Sequence, residues 1–295
     1  MLNKITLVFF LTLFSCLLSG QEVQNVLLLS GKKTHGYGYH ECNSDITILA
    51  ELLKKQTEIN FNPLVFLNGD WPDATQLKSA NAIVIICDGD EKHILNNKVE
   101  EFNSLQKTKI GVLFLHYATV PEEKLYPYFE KWLGGFYNRF KEPKTITKFT
   151  HVKIIPNKKH AINNGVSSYK LFDEIYYEMD LDSTSKVIGK AIQINKTPLF
   201  NNEQEETRYF KDKAYLFKSN PKVVYWSYKR ESGGLSVGIT AGHIHWNFWN
   251  EKNIRKQLLN SVAWIATGKV PKKGLNPFEV TNALLLNNHS KLEDY

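Results

Sequence analysis

Five histidines lie in three short segments of the sequence, and each segment comes at or near the end of an apolar run. They are His35 and His40 in GKKTHGYGYHE, His116 in GVLFLHYA, and His243 and His245 in GHIHWN. Imidazole titrates near neutral pH and is also a common ligand of transition metals. If the fold brings the three segments together, they predict either acid–base chemistry or a metal site. A lone histidine of this kind is more often capped or solvent-facing, so the prediction depends on the group.

Carboxylates accompany these histidines. Glu41 ends the first segment, Asp88 follows the apolar run AIVIIC, and Asp173 and Glu174 lie in the aromatic segment DEIYY. A carboxylate next to an imidazole can orient the ring or exchange a proton with it. We therefore expect Glu174 or Glu41 to orient a histidine, with an ordinary surface acid as the alternative.

The segment GHIHWN is the densest of the three. Side chains alternate along a strand, so an extended conformation places His243 and His245 on the same face. Trp246, Asn247 and Trp249 would then offer aromatic faces and hydrogen bonds to a sugar. Two imidazoles on one face also suit a metal. The alternative is one core histidine and one surface histidine.

Two well-known site types are not expected. The loop at 31–41 opens a helix whose free amides could hold a polar group, but it lacks the phosphate-binding and GxGxxG spacings. No nucleotide cofactor is therefore predicted. His116 stands at a strand-to-loop turn where many α/β enzymes expose a nucleophile, yet LFLHYATV contains no cysteine. A thiol-based amidotransferase mechanism is not expected, which leaves His116 as a general base or a ligand.

The elements that must position these residues alternate between two types. Apolar runs at 26–31, 82–90, 109–118 and 235–243 are separated by amphipathic helical segments. Continuous apolar runs alternating with helices predict a parallel sheet covered on both faces, and such sheets bind ligands at the carboxyl ends of their strands. Residues 145–230 are less regular. The simplest organisation is one α/β domain over 21–268, followed by a peripheral tail over 269–295.

The first twenty residues read as a signal peptide. Lys4 is followed by ITLVFFLTLFSCLL, which is too short and badly flanked for a membrane span. Cleavage near Gly20 predicts an exported protein, periplasmic or extracellular and not transmembrane. Anchoring of a lipid at Cys16 is a less favoured alternative, because Phe14 stands where a lipobox has a small residue.

The remaining composition limits the possible partners. The formal net charge is +7, and the lysines are scattered among acids with no dense basic stripe, so no nucleic-acid partner is predicted. Cys42 and Cys87 could pair in an oxidising compartment, but Cys87 sits in a strand-like apolar run where a free cysteine packs as a small hydrophobe. The oligomeric state is left open.

The ordered series of motifs resembles the ThuA-like (trehalose-utilisation) family. It runs over roughly residues 24 to 268 and consists of VLLLSGKKTHGYGYHE, LNGDWP, AIVIICDGD, GVLFLHYATV, WLGGFY, DEIYY, GHIHWN and SVAWIATG. That family is similar in fold to class I glutamine amidotransferases. The resemblance implies a flavodoxin-like three-layer sandwich with a mostly parallel central sheet, in agreement with the alternation of strands and helices.

The resemblance also bears on the site. It implies that the turn at His116 corresponds to the position of the amidotransferase cysteine, and that 243–245 corresponds to the catalytic histidine. Because the cysteine is missing, amidotransferase activity is not carried over. What remains implied is carbohydrate utilisation, on a trehalose-like or keto-disaccharide substrate.

Three hypotheses follow. The leading one is a sugar-processing enzyme using acid–base chemistry; the others are a non-catalytic carbohydrate-binding domain and a hydrolase dependent on a divalent transition metal held by the same histidines. The predicted catalytic residues are His116, His243, His245 and Glu174. The predicted substrate-binding residues are His35, Tyr37, His40, Glu41, Asp88, Trp246 and Asn247.

Overall fold

The computed structural model describes residues 21–141, 146–194 and 220–291 of the chain. Residues 1–20, with the predicted signal peptide and Cys16, lie outside the described residues. Among the described residues, none of the helices has the length and apolar character that a membrane crossing requires.

Within the described residues, nine strands form one sheet, and five of them make a parallel half. In spatial order these five are β2 (Phe61–Phe66), β1 (Gln24–Ser30), β3 (Ala82–Ile86), β4 (Gly111–Leu115) and β11 (Leu235–Ile239). The order of β2, β1, β3 and β4 is that of doubly wound flavodoxin-like sheets, in which ligands bind where the strand order reverses, beside β1 and β3.

The other half of the sheet is antiparallel. From β11 outward it contains β10 (Lys222–Lys229), β9 (Lys186–Gln193), β6 (Ile146–Pro156) and β7 (Tyr169–Tyr177). A separate two-stranded sheet joins β5 (Gly135–Phe136) to β8 (Asp180–Leu181). The irregular segment 145–230 of the sequence is thus the antiparallel extension of the sheet, so far as the structure describes it.

Helices cover both faces of the parallel half. They are α1 (Cys42–Lys54), α2 (Ala74–Ser79), α3 (Val99–Gln106), α4 (Tyr126–Leu133), α5 (His245–Asn250), α6 (Lys252–Thr267) and α7 (Asn282–Leu285). In β1, Val26 and Leu28 belong to one buried apolar cluster and Leu27 and Leu29 to another. Successive side chains of a strand point to opposite faces, so the sheet has a core on each side. The predicted three-layer α/β fold is confirmed.

The two cysteines illustrate the same division. Cys42 packs in the cluster with α1 and Cys87 in the cluster on the opposite face, and both are buried and free. Cys87 therefore behaves as the small core residue that its apolar run predicts.

The segment after α6 returns to the domain. The helix ends at Gly268, whose φ of 72° is the left-handed conformation that glycine adopts without a steric cost. Leu275 and Leu285 are then almost fully buried, and the Ser44 hydroxyl donates to the carbonyl of Leu285 at 2.9 Å. Through residue 291, the predicted tail packs against α1.

Candidate functional site

The carboxyl edge of the parallel strands gathers three of the histidine-bearing loops. His40 precedes α1 after β1, His116 directly follows β4, and His243 lies in the loop after β11. All three side chains are buried. The strand ends thus bring together residues that are far apart along the chain, as the alternation of strands and helices predicts.

Two of these histidines have an unusual backbone. His40 and His116 have φ angles of 47° and 52°, a conformation that costs energy for residues other than glycine. At His116 the sharp turn after β4, with its positive φ, is similar to a nucleophile elbow, with a buried imidazole in place of the nucleophile. Gly242 permits this arrangement, because a β-carbon there would approach that of His116 to 3.3 Å and its own φ is 129°.

The ring nitrogens of the three histidines converge on one point. His40 Nε2 lies 2.7 Å from His243 Nδ1 and 3.1 Å from His116 Nε2, and the third side of the triangle is 3.3 Å. Ligands on one metal with bonds of about 2.0–2.1 Å lie about 3 Å apart when the bond angles are tetrahedral or octahedral. The triangle therefore has the dimensions of one face of a metal coordination sphere.

A carboxylate supplies the fourth ligand atom. Glu174 Oε2 lies 3.1 Å from His243 Nδ1 and 3.4 Å from His116 Nε2, and the four candidate ligand atoms all lie within 4.8 Å of one another. Glu174 is in β7, four places from β11 in the sheet. The antiparallel half must therefore curl back across the carboxyl edge of the parallel strands to deliver it.

Hydrogen bonds on the outer side fix two of the imidazole tautomers. His116 Nδ1 donates to the carbonyl of Thr240 at 2.7 Å, and His40 Nδ1 donates to Asp88 Oδ1 at 2.5 Å. In the neutral rings each Nε2 then presents a lone pair to the cluster. Carbonyl and carboxylate acceptors behind a histidine are the usual support of metal-ligating imidazoles, because they hold the ring and raise its basicity.

Asp173 positions the loop that carries His243. It is fully buried on the strand face opposite Glu174, and its carboxylate accepts from the backbone amides of Gly242 and Ile244 at 2.7 and 2.9 Å. Burial raises the pKa of Asp173 to about 6, against the opposing effects of the His116 charge and these amides. Asp173 on one face of β7 thus holds the loop that carries His243, and Glu174 on the other face completes the cluster.

The pKa values in the cluster separate into two groups. Burial, only partly offset by Asp88, lowers the pKa of His40 to about 3, and burial also lowers that of His243. For His116 burial acts in the same direction, but the hydrogen bond and charge of Glu174 outweigh it, so its pKa is raised. Burial likewise opposes ionisation of Glu174, yet bonds from His116 and His243 hold its pKa far below the usual range. His116 Nε2 lies 3.4 Å from Glu174 Oε2, and each group favours the charged form of the other.

A small cavity opens onto the cluster. Its volume is about 200 Å³, and its lining includes His35, Tyr117, Tyr137, Arg139 and Thr147 in addition to cluster residues. The His35 ring packs against that of His40 at a tilt of 37° with the centroids 3.8 Å apart, and its Nδ1 lies 3.3 Å from Asp88 Oδ2. The cluster therefore has an open side, and the partly exposed His35 stands at its rim.

Six predicted site residues are brought together here, and five lie elsewhere. The six are His35, His40, Asp88, His116, Glu174 and His243. The other five, Tyr37, Glu41, His245, Trp246 and Asn247, do not line the small cavity. Four of these five pack near α1 and the C-terminal segment, whereas the Asn247 amide donates to the carbonyl of Phe172 in β7 at 2.9 Å.

The expected strand through 243–245 is wrong. Strand β11 ends at Ile239, the chain turns at Gly242, and His245 is the first residue of α5. Consequently His245 points away from His243, donates from Nδ1 to Asp45 Oδ1 at 2.7 Å, and lies with Nε2 3.0 Å from the carbonyl of Leu285. Glu41 likewise accepts from Gly38, Lys33 and Ser290 and supports the loop without reaching the cluster.

Tyr176 is a cluster residue that the sequence analysis did not single out. Its hydroxyl donates to Glu174 Oε2 at 3.2 Å and lies 3.1 Å from His116 Nε2. Burial raises its pKa well above the usual value, so the hydroxyl keeps its proton. The period of two along β7 is the signal that could have found it, because Glu174 and Tyr176 share one face.

Comparison with known proteins supports the fold. No family model matches the sequence, and no curated protein resembles it at the sequence level. Among solved structures, a ThuA-like protein from Bacteroides uniformis aligns with a TM-score of 0.59 and 15% identity, over 86% of this chain and 94% of its own.

Two further structures give the same result. A ThuA-like protein from Parabacteroides merdae aligns with a TM-score of 0.55 and 14% identity, over 88% of this chain and 100% of its own. A cytoplasmic protein from Salmonella typhimurium aligns with a TM-score of 0.50 and 12% identity, over 81% and 98%. At these identities the likeness shows the fold, and the predicted ThuA-like architecture is confirmed.

Proposed function

We propose that this protein is a carbohydrate-processing enzyme whose reaction depends on a divalent transition metal held by His40, His116, His243 and Glu174. The observation that carries the proposal is the convergence of three imidazole nitrogens and one carboxylate oxygen within 4.8 Å. Such a donor set suits zinc, iron and manganese. A closed structural site would have no free side, whereas this cluster borders a cavity, which favours a catalytic role.

The residues around the cluster have distinct parts in the proposed reaction. A metal at this point supplies Lewis-acid activation of a substrate oxygen. Tyr176 keeps its proton beside Glu174 and His116, where its hydroxyl can donate a hydrogen bond to a substrate oxygen. Asp88 and the Thr240 carbonyl fix the rings of His40 and His116, and His35 borders the cavity through which a substrate enters.

The substrate class comes from two sources. The resemblance in sequence motifs and the ThuA-like structural neighbours support carbohydrate utilisation. The cavity combines the phenol groups of Tyr117 and Tyr137, the guanidinium of Arg139 and the hydroxyl of Thr147, which suits a polyhydroxylated molecule. A trehalose-like or keto-disaccharide substrate fits both.

A second candidate function is metal-free acid–base catalysis. It is favoured by the ion pair of His116 and Glu174, in which the pKa of the imidazole is raised and that of the carboxyl is lowered. In this scheme His116 acts as a general acid and His243, whose pKa is lowered, as a general base.

The metal content of the protein separates the two candidates. The chain without residues 1–20 is purified without a histidine tag, and its metals are measured by plasma mass spectrometry. About one transition metal per chain, lost in His116→Ala but retained in His151→Ala, supports the metal centre. His151 is a suitable control because it lies on β6, outside the cluster. A metal-free protein that turns over sugars would overturn the proposal in favour of acid–base catalysis.

Turnover separates an enzyme from a binding module. Disaccharides and their keto derivatives are screened with the metal-loaded protein, and products are counted by mass balance. Saturable binding without any product would assign the non-catalytic function. Export is a further part of the proposal, and it is tested by fractionating cells that make the full-length chain; protein found only in the cytoplasm with residues 1–20 intact would contradict it.

A further inference from the structure

A second, larger cavity adjoins the small cavity at the histidine cluster. Its volume is about 560 Å³, compared with about 200 Å³ for the small cavity, and both are lined by Tyr117 and Arg139. Sites for drug-sized ligands have volumes of about 300–1,000 Å³. The small cavity is below that range, so it can hold only the reacting end of a larger molecule, and the rest must extend past Tyr117 and Arg139.

The wall between the two cavities is polar and well held. The Tyr117 hydroxyl donates to Asp90 Oδ2 at 2.8 Å, and Arg139 Nη2 donates to the same oxygen. Asp90 has a φ of 52°, and its backbone amide donates to the Val120 carbonyl at 2.8 Å. Loop residues fixed in this way present a guanidinium and a carboxylate at defined positions to a ligand passing between the cavities.

The larger cavity is also lined by aromatic side chains, Tyr126 and Phe140. Phe140 is 67% exposed, so most of its aromatic ring is open to solvent. The centre of this ring lies 6.2 Å from that of Tyr126. Tyr126 is itself held by Phe136 at 4.6 Å. An exposed aromatic face and hydrogen-bonding groups in the same cavity suit a sugar ring, which has C–H faces and a polar edge.

The charges of the larger cavity nearly cancel. Four carboxylates and three cationic side chains line it. A phosphate or carboxylate group would find no net positive field there, so the cavity favours an uncharged polyhydroxylated group over a phosphorylated one.

Building on the proposed function, we propose that the larger cavity is a subsite for the second unit of an uncharged disaccharide, with Phe140 stacking on that unit and Arg139 and Asp90 bonding its hydroxyls. The first unit occupies the small cavity at the histidine cluster. Selection of disaccharides over monosaccharides then depends on Phe140.

Calorimetric titration tests this subsite. The metal-loaded protein is titrated with a panel of glucose disaccharides that includes trehalose, with glucose, and with trehalose 6-phosphate. We expect a disaccharide to bind at least about tenfold more tightly than glucose, which corresponds to about 1.4 kcal/mol. Phe140→Ala should weaken disaccharide binding by about three- to tenfold and leave glucose binding within about twofold. The matched control is Val65→Ala, a truncation of an exposed apolar side chain on β2.

Each outcome decides the proposal. It is overturned if no disaccharide binds more tightly than glucose, if Phe140→Ala weakens both alike, or if the phosphorylated sugar binds best. The metal centre is judged separately from metal content and from His116→Ala. A failure of that centre would leave an effect of Phe140→Ala on disaccharide binding intact, so the two proposals can fail independently.

Discussion

His243 and His245 are separated by one residue, and both are buried, yet their rings lie in different surroundings. His243 Nδ1 lies among two other imidazole nitrogens and the Glu174 carboxylate. His245 donates from Nδ1 to Asp45 and lies within hydrogen-bonding distance of the Leu285 carbonyl at Nε2. Both positions therefore carry a buried histidine, and what differs is the set of groups that the ring nitrogens face.

The comparison distinguishes a structural histidine from a ligand. A ring whose two nitrogens both lie within hydrogen-bonding distance of protein groups has no nitrogen left to face a ligand. In the cluster, by contrast, His40 and His116 are supported from behind and direct the remaining nitrogen at another basic nitrogen. Such nitrogens repel one another unless a proton or a metal lies between them, which is why this group and not the one at His245 is the candidate site.

The largest expected effect is loss of metal on His116→Ala. Changes behind a ligand typically lower metal affinity by about 10–100-fold, so removal of a ligand itself should cost more than about 100-fold. Competition with a chromophoric chelator measures the affinity. The corresponding change His245→Ala should leave it unchanged, and a similar loss in both variants would erase the distinction between the two histidines.

His245→Ala should instead destabilise the fold. It removes one of two donors to the buried Asp45 Oδ1, leaving Trp249 Nε1 at 2.6 Å, and it opens a cavity beside α1. We expect the free energy of unfolding to fall by about 2–4 kcal/mol, as measured in urea. Unchanged stability would mean that the contacts of His245 are not structural.

Asp88→Asn should give an intermediate effect. The amide keeps the shape of the carboxylate and one acceptor oxygen but loses the negative charge, so the acceptor behind His40 is weaker and the ring is less basic. The expected loss of metal affinity is about 10–100-fold, with the fold retained. Asp70→Asn at an exposed position is the matched control. Metal affinity equal to that of the wild type would show that Asp88 does not support a ligand.

His93 extends the comparison to a third buried histidine. Its Nε2 donates to the Ala118 carbonyl at 3.0 Å, and its Nδ1 accepts from the Leu95 amide at 3.1 Å. Burial, partly offset by the Ala118 bond, lowers its pKa to about 4. Because the unfolded chain takes up this proton near pH 6.5 and the folded chain does not, the stability from neutral His93 is present above that pH and is lost as pH falls toward 4.

The size of the His93 effect can be measured between pH 7.5 and pH 5.5. The lowered pKa of His93 alone predicts a loss of about 1.4 kcal/mol over that interval, to which other buried histidines such as His40 add. His93→Gln should reduce the pH dependence of urea unfolding by about that amount. An identical dependence in both proteins would assign the acid sensitivity to other groups.

The sequence predicts the parallel half of the fold. It also predicts that the segments carrying His40, His116 and His243 meet at the carboxyl edge of the parallel strands. Those features depend on local patterns: continuous apolar runs make buried strands, and polar residues that follow them meet at one edge. The presence of His40, His116 and Asp88 at that edge follows directly, as the structure shows.

The rest depends on tertiary structure that the local pattern does not contain. The direction in which the His245 side chain points depends on where β11 ends. Gly242, at which the chain turns, is the local signal in the sequence for that end. The approach of Glu174 and Tyr176 to His116 requires the antiparallel half to curl, which is set by strand pairing between residues distant in sequence. Propensity and periodicity do not encode such pairings.

The place of β11 in the sheet also affects the order of assembly during synthesis. It follows every other strand that the structure describes, but lies between β4 and β10 at the centre of the sheet, and His243 comes four residues after it. Until residue 243 has left the ribosome, β4 has an open edge and the cluster lacks a nitrogen. Fragments that end before β11 therefore lack His243, so the four-residue cluster can form only after the chain has been made through residue 243.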